Sequence, residues 1–303
     1  MASQPTTAPT PPTDSTNHGL RVVVAWLVLS AITTPLVAIY VGPLIPPGNA
    51  TVQGQGQVFD NQVMTSFVTP ILCLMAVFFA YGLVKFHTRR NEAILDGPPL
   101  RNDARVQLLW IVITMAMVLF LAGFGTYELL KDGSGGGQGP NPIAYPAHHQ
   151  SALQVQVIGQ QWQFTYRYPS LGGLESNQLY LPANTDVALH VTSLDVIHSF
   201  WAVELGVKAD ANPGIDNVAY VQTKGPTVFH VRCAELCGLW HGYMYNNGYV
   251  VSASQFQTWA AQQTKLYAAI KPFMDKPDNQ GGAPYAHSYL PAPGGGAPPV
   301  RAG

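Results

Sequence analysis

The chain has 303 residues, of which 47% are hydrophobic and only 10% charged, against about 25% charged in an ordinary soluble domain. The formal net charge of −1 supplies no basic field to condense on phosphates, which excludes nucleic acid as a partner. The missing charges are concentrated near the N-terminus, with 38 uncharged residues between Arg21 and Asp60, 24 between Asp60 and Lys85 and 22 between Arg105 and Glu128.

The first twenty residues are rich in Pro, Ser and Thr and are expected to form a disordered cytoplasmic tail. A membrane-spanning helix needs about 20 mostly apolar residues. The stretches 22–41, 63–86 and 106–127 qualify, within a transmembrane region of 21–131 and predicted helices of about 22–43, 62–87 and 105–130. Pro35 and Pro70 fall inside the first two, where they kink rather than abolish a helix.

Lys85, Arg89, Arg90, Arg101 and Arg105 crowd the second connection, while 42–62 has no Lys or Arg. The basic loop is therefore cytoplasmic, and everything after Lys131 lies on the outer face. The first stretch has a second reading, as a cleaved signal peptide. Its apolar run is longer than such a segment usually carries and no small-x-small site follows at once, so a retained helix is expected.

A Gly-rich linker over 132–150 leads to a segment in which the hydrophobic period changes to two. Leu153, Val155 and Val157, then Trp162, Phe164, Tyr166 and Tyr168, alternate with polar residues as in half-buried strands. Short strand signals recur over 187–191, 218–222, 228–231 and 248–251, separated by Pro, Gly and Asn. The spacing predicts an antiparallel sandwich or barrel over 151–260. Helical spacing returns over 254–274 with Ser254 as candidate N-cap, so a C-terminal helix is expected over 261–275 beyond the domain. The Pro/Gly-rich remainder, 276–303, is expected to be disordered.

The densest chemistry lies in Cys233-Ala-Glu235-Leu-Cys237-Gly-Leu-Trp-His241-Gly-Tyr-Met244. Two thiolates, an imidazole and a thioether in one loop form a soft ligand set that selects copper or zinc over magnesium or calcium. His198, in an expected loop between strands, supplies a second imidazole from far upstream. One Cys, two His and a weak Met make a single-copper blue site. With two cysteines the same layout suits two copper ions bridged by both sulfurs, each with one His and one weak axial ligand. Alone, the Cys pair also fits a disulfide or structural zinc. A disulfide has no use for the histidines, however, nor zinc for the thioether.

On these residues, together with Gly159-Gln-Gln-Trp162-Gln-Phe-Thr-Tyr, Asp195-Val-Ile-His198-Ser and Lys208-Ala-Asp210-Ala-Asn-Pro-Gly214, the chain resembles subunit II of the haem–copper cytochrome c oxidases over roughly residues 60–260. The resemblance implies transmembrane helices followed by a cupredoxin-like all-β sandwich in a bacterial plasma membrane, with a binuclear copper centre, CuA. The site residues it implies are Cys233 and Cys237 as bridging thiolates, His198 and His241 as imidazole ligands, and Met244 and the Glu235 carbonyl as axial ligands. It further implies a Glu235 side chain that holds Mg2+ at the boundary with subunit I, and Trp162 as the residue through which electrons enter.

The implied partners are oxidase subunits I and III, cytochrome c or another electron donor, and the lipid membrane. The implied function is delivery of electrons to haem for oxygen reduction coupled to proton pumping. The alternative is the CuA subunit of a nitric oxide reductase. Departures from the family are Phe164 for a second Trp, Arg167 for a carboxylate, Gln107 for a Glu at a proton-channel entrance, and the extra helix at 22–41. Arg167 is expected to lie close to Trp162 and to weaken the acidic docking surface, leaving apolar contacts to the donor. His87, His148, His149, His190, His230 and His287 are expected to be surface or packing residues, and Cys73 inert packing.

Overall fold

The computed structural model describes residues 16–87, 103–132 and 151–274. Arg89, Arg90, Arg101, the linker after Asp132 with His148 and His149, and the tail with His287 lie outside the described residues. The chain divides into two units, Met1–Val41 with Val63–Pro99, and Gly42–Gln62 with Leu100–Gly303. Three helices are long and apolar enough to cross a membrane, with mean hydropathy of 2.3 to 2.4 in their most apolar windows, and a β-sandwich follows them.

In the first unit, α1 (His18–Leu36) starts inside the expected N-terminal tail, where the Asn17 carboxamide oxygen accepts from Leu20 N. It gives way to a π turn over Val37–Val41 just after Pro35, which has no N–H to continue the ladder. The greater part of α2 (Val52–Lys85) lies beside it. Trp26 Nε1 donates to the Pro70 carbonyl at 2.8 Å, and His18 Nδ1 and the Tyr81 hydroxyl are 2.7 Å apart. Thr33 Oγ1 and Cys73 Sγ are 3.0 Å apart, with Cys73 buried. Each bond gives a polar group in an apolar helix pair a partner that lipid cannot supply.

The second unit holds α3 (Ala104–Asp132), capped by the Asp103 carboxylate, which accepts from Arg105 N and Val106 N. Gln107 is an exposed residue of its first turn. The sandwich comprises β1 (Leu153–Gln160), β2 (Gln163–Tyr168), β3 (Leu174–Ser176), β4 (Tyr180–Pro182), β5 (Asp186–Ser193), β6 (His198–Ala202), β7 (Val207–Ala211), β8 (Asn217–Gln222), β9 (Thr227–Cys233) and β10 (Tyr245–Val251). The sheet orders are β3-β2-β1-β5-β8 and β4-β10-β9-β6-β7. The sheets are mixed rather than purely antiparallel, since β1 pairs with β5, and β4 with β10, in parallel. Phe164, Tyr166, Val157 and Leu189 from the first sheet meet Phe200, Phe229 and Val231 from the second in the core, all at most 2% exposed.

β6 and β7 have no counterpart among the sequence-predicted strands, and His198 opens β6 instead of lying in a loop. Helix α4 (Ala253–Met274) begins eight residues before the expected boundary at 261. Its cap is Ser252 rather than Ser254, because Ser252 Oγ accepts from Gln255 N while the Gln255 carboxamide accepts from Ser252 N. Trp259 of α4 stacks on Tyr180 at 4.6 Å and meets Tyr168 edge-on at 5.3 Å, closing the core beside β3 and β4.

Helix α2 begins ten residues upstream of expectation, because the polar run 52–57 is held by the sandwich. Thr51 Oγ1 accepts from Gly54 N at 2.8 Å, capping the helix, and donates to the Leu205 carbonyl at 2.7 Å. Gln57 Nε2 donates to the Gly206 carbonyl, and Gln53 Oε1 accepts from Gln222 N on the edge strand β8. Ala50 N donates to the Glu204 carbonyl and Lys224 N to the Ala50 carbonyl, so this segment covers a sheet edge. The close approach requires glycine, since a Cβ on Gly206 (φ +68) would lie 2.8 Å from Gly54 Cα.

Arg167 does not lie close to Trp162. It pairs in register with Gln156, five residues along β2 from Trp162 in the hairpin turn, or about 17 Å at the rise of an extended chain. The strand's alternation also sends its side chain to the opposite face from Phe164 and Tyr166, where Nη1 donates to Gln156 Oε1 and Nε stands 3.8 Å from Glu175 Oε1. Burial pushes the Glu175 carboxyl up to about 7, the guanidinium only partly offsetting it.

Two outcomes are expected. Gly206→Val destabilises the full chain by about 1–3 kcal/mol in chemical denaturation, whereas Gly225→Ala, whose Cβ meets nothing within 4 Å, changes it by less than about 0.5 kcal/mol. Because the native state holds the Glu175 proton more tightly than an unfolded chain with its ordinary value of 4.5, stability falls as pH rises between these two values. Glu175→Gln should flatten that slope in denaturation midpoints measured across the interval.

Candidate metal centre

The centre is assembled at one end of the second sheet. His198 opens β6, Cys233 closes β9, and the loop to β10 carries Glu235, Cys237, His241 and Met244. Pairing of β6 with β9 sets Phe200 opposite Cys233, and Cys233 N donates to the Met244 carbonyl across the loop's neck. A single helical turn over His241–Tyr243 follows from His241 N donating to the Gly238 carbonyl and Met244 N to the His241 carbonyl. It returns the imidazole and the thioether to the sulfur of Cys237.

The sequence-predicted donors converge. The two sulfurs of Cys233 and Cys237, both free thiols, lie 3.7 Å apart, far beyond the roughly 2.05 Å of a disulfide. Cys233 Sγ is 3.8 Å from His198 Nδ1 and 3.2 Å from the Glu235 carbonyl oxygen. Cys237 Sγ is 3.4 Å from His241 Nδ1 and 3.8 Å from Met244 Sδ. The ligand atoms of His198, Cys233 and Cys237 all lie within 4.8 Å of one another. Two metal–sulfur bonds of about 2.3 Å meeting near the tetrahedral angle put their sulfurs about 3.8 Å apart, so the spacing fits a shared first-row ion.

Electrostatics point the same way. Burial resists ionisation of Cys233, but the His198 imidazole and backbone N–H bonds win and bring the thiol down to about 6. Burial and the neighbouring Cys233 push Cys237 up to about 12. One thiolate is stable and a second beside it is not, unless a cation joins them. Asp195 orients His198. Its Oδ1 stands 2.9 Å from Nε2, which fixes the ring with Nδ1 turned toward the sulfur. Burial alone would raise the carboxyl, yet bonds from Gln161 N, His198 and Val196 N hold it below its ordinary range.

Sequence reasoning missed this carboxylate as an orienting group, along with Gln161, Gly159 and Gly238. A Cβ on Gly159 would stand 3.0 Å from His198 Cδ2, so glycine makes room for the ring. Gly238 adopts φ +114, and a Cβ there would lie 2.9 Å from Gln161 Nε2. Only the Asp195-x-x-His198 spacing gave a signal, as an acceptor one turn from an imidazole.

Trp162 is half-buried in the β1–β2 turn, its Nε1 donating to the Cys237 carbonyl at 3.1 Å alongside Gln161 Nε2 at 2.8 Å. The Glu235 side chain is exposed beside the cage. Of the histidines given no role, His87 and His230 are exposed, the latter bonded to Glu204. His190 is buried between Asp216 at 2.8 Å and Gln154 at 2.6 Å, away from the ligand set.

A family model described as cytochrome c oxidase subunit II, periplasmic domain, matches residues 173–251, which run from β3 through the metal loop to the end of β10. Cytochrome c oxidase subunit 2 of Thermostichus vulcanus is 25% identical over 292 residues, covering 80% of this chain and 86% of that protein. Its counterpart in Synechocystis is 28% identical over 235 residues, covering 66% and 70%. Among solved structures, the periplasmic domain of subunit II of cytochrome oxidase from Bradyrhizobium japonicum is 30% identical, covering 38% of this chain and 95% of that one, with a TM-score of 0.37. With membrane-capable helices ahead of a sandwich that carries the soft donor set, the chain is similar to cytochrome c oxidase subunit II, and the sequence likeness spans both parts.

Proposed function

We propose that the chain is the electron-accepting subunit of a terminal haem–copper oxidase of a bacterial plasma membrane. In this reading it takes single electrons from cytochrome c or a similar donor on the outer face and supplies them to haem in subunit I, with subunit III beside it. Oxygen reduction and proton pumping belong to that partner machinery. The observation that carries the reading is the convergence of two thiols, two imidazoles, a thioether and a carbonyl within 3.2–3.8 Å of their neighbours.

Cys233 and Cys237 would bridge a binuclear copper centre, with His198 and His241 as imidazole ligands and Met244 and the Glu235 carbonyl as weak axial ones. When bound, such a pair takes up and releases one electron with little rearrangement. The chain's own residues supply the rigidity that this needs. Asp195 holds the His198 ring, Gly159 seats it, and the buried Met244 and Cys237 keep water out. Trp162 would admit the electron, since its indole is bonded to the backbone of a ligand. The exposed Glu235 carboxylate is free to hold Mg2+ at the boundary with subunit I.

Donor docking is apolar in character. Leu236, Leu239, Trp240, Tyr243, Val196 and Ile197 are exposed around the ligands. Asp195, Glu204 and Asp216 are turned onto His198, His230 and His190, so exposed apolar side chains make up most of the surface around the ligands.

Loaded with copper, the protein should bind two ions per chain and be purple, with hyperfine structure from two equivalent copper nuclei. Cys233→Ser should collapse the pair, and Met244→Leu should keep the copper but shift its potential. Zinc in metal analysis, or one copper with a blue-type spectrum, counts against the proposal. In the assembled oxidase, Trp162→Ala should slow electron uptake by orders of magnitude with the copper spectrum intact. Turnover with the native donor should respond weakly to added salt; a steep fall would mean that charge steering governs docking.

A further inference from the structure

We infer that the groove between the inner ends of α1 and α2 binds one anionic phospholipid of the inner leaflet. In the topology read from the charge asymmetry of the connections, the end of α2 at Lys85 and the start of α1 are at the inner surface. There the two helices leave a cavity of about 360 Å³, walled by Val22, Val23, Phe78 and Phe86, with the His18–Tyr81 pair at its rim. Its volume falls in the range of small-molecule sites, about 300–1,000 Å³. Gly19 and Gly82 line it without side chains, and a Cβ on Gly82 would meet nothing within 4 Å.

Charge complementarity selects the occupant. Lys85 lies one turn beyond Tyr81 and Gly82, on the face of α2 that lines the cavity. Arg21 adjoins Val22 on α1. Both are exposed, and neither has an ion-pair partner among the described residues. An apolar cleft within hydrocarbon takes up an acyl chain, and Lys85 on its lining face of α2, with Arg21 at the same level of α1 and neither ion-paired among the described residues, favours a phosphate that carries net negative charge. A zwitterionic headgroup meets the first requirement and not the second. The inference rests on the membrane topology and not on the copper site.

The test is native mass spectrometry of the delipidated full chain in detergent, titrated separately with phosphatidylglycerol and phosphatidylcholine. One phosphatidylglycerol per chain should bind at least about tenfold more tightly than phosphatidylcholine. Lys85→Gln should weaken phosphatidylglycerol roughly fivefold and leave phosphatidylcholine unchanged. Gly82→Leu, whose Cβ meets nothing within 4 Å and whose branch enters the cleft, should abolish both adducts while the unfolding temperature holds. Equal affinity for the two lipids, undiminished binding in Gly82→Leu, or a mature chain whose mass lacks α1 overturns the proposal. So does loss of the phosphatidylglycerol adduct in the assembled oxidase, which would mean that a partner helix fills the groove. Failure of copper loading with lipid selectivity intact would count against the proposed copper function alone.

Discussion

Two sulfur atoms held 3.7 Å apart without bonding are the constraint on which the outer domain is organised. Left to themselves in an oxidising compartment, thiols four residues apart in a loop tend to form a disulfide. Here Cys233 is the last residue of β9 and its position is set by the strand ladder, while Cys237 is tied through its carbonyl to Gln161 and Trp162 of the opposite sheet. The two anchors hold the sulfurs at a spacing that suits a bridging cation and is too wide for a covalent bond.

The neighbouring features follow from that requirement. Two sulfurs brought this close need a rigid shell, because movement of any donor changes the field at the others. The shell comes from backbone placement more than from bulky packing. Gly159 and Gly238 permit approaches that a Cβ would forbid, and Asp195 fixes one imidazole by its far nitrogen. The aromatic contacts among Phe164, Phe200 and His198 carry the same rigidity into the core.

At another part of the sandwich, the turn between β6 and β7 receives the first turns of α2 through Thr51, Gly54 and Gln57. One strand, β6, therefore joins the candidate ligand His198 at its start to the turn that holds the first turns of α2 just after its end. A polar run that reads as a loop is thus the first turns of α2, held by the sandwich.

The amino-acid sequence by itself determined the three apolar helices, because length and lack of charge are properties of a segment and need no partner. It also made the candidate donors legible, since a Cys-x3-Cys-x3-His-x2-Met loop groups soft ligand types by its spacing, and the strands with a clear period of two, such as β1, β2, β5 and β9. Tertiary structure decided what depends on neighbours remote in the chain. β6 and β7 exist because His198–Ala202 and Val207–Ala211 pair with each other and β6 with β9, although neither segment has a strong pattern of its own. The start of α2 at Val52 depends on side-chain bonds to residues 149 to 169 positions away. Asp195 becomes an orienting carboxylate, and Arg167 moves from the neighbourhood of Trp162 to a pair with Glu175, only when strand register assigns each side chain its face. Register is a relation between strands, and a single sequence holds one side of it.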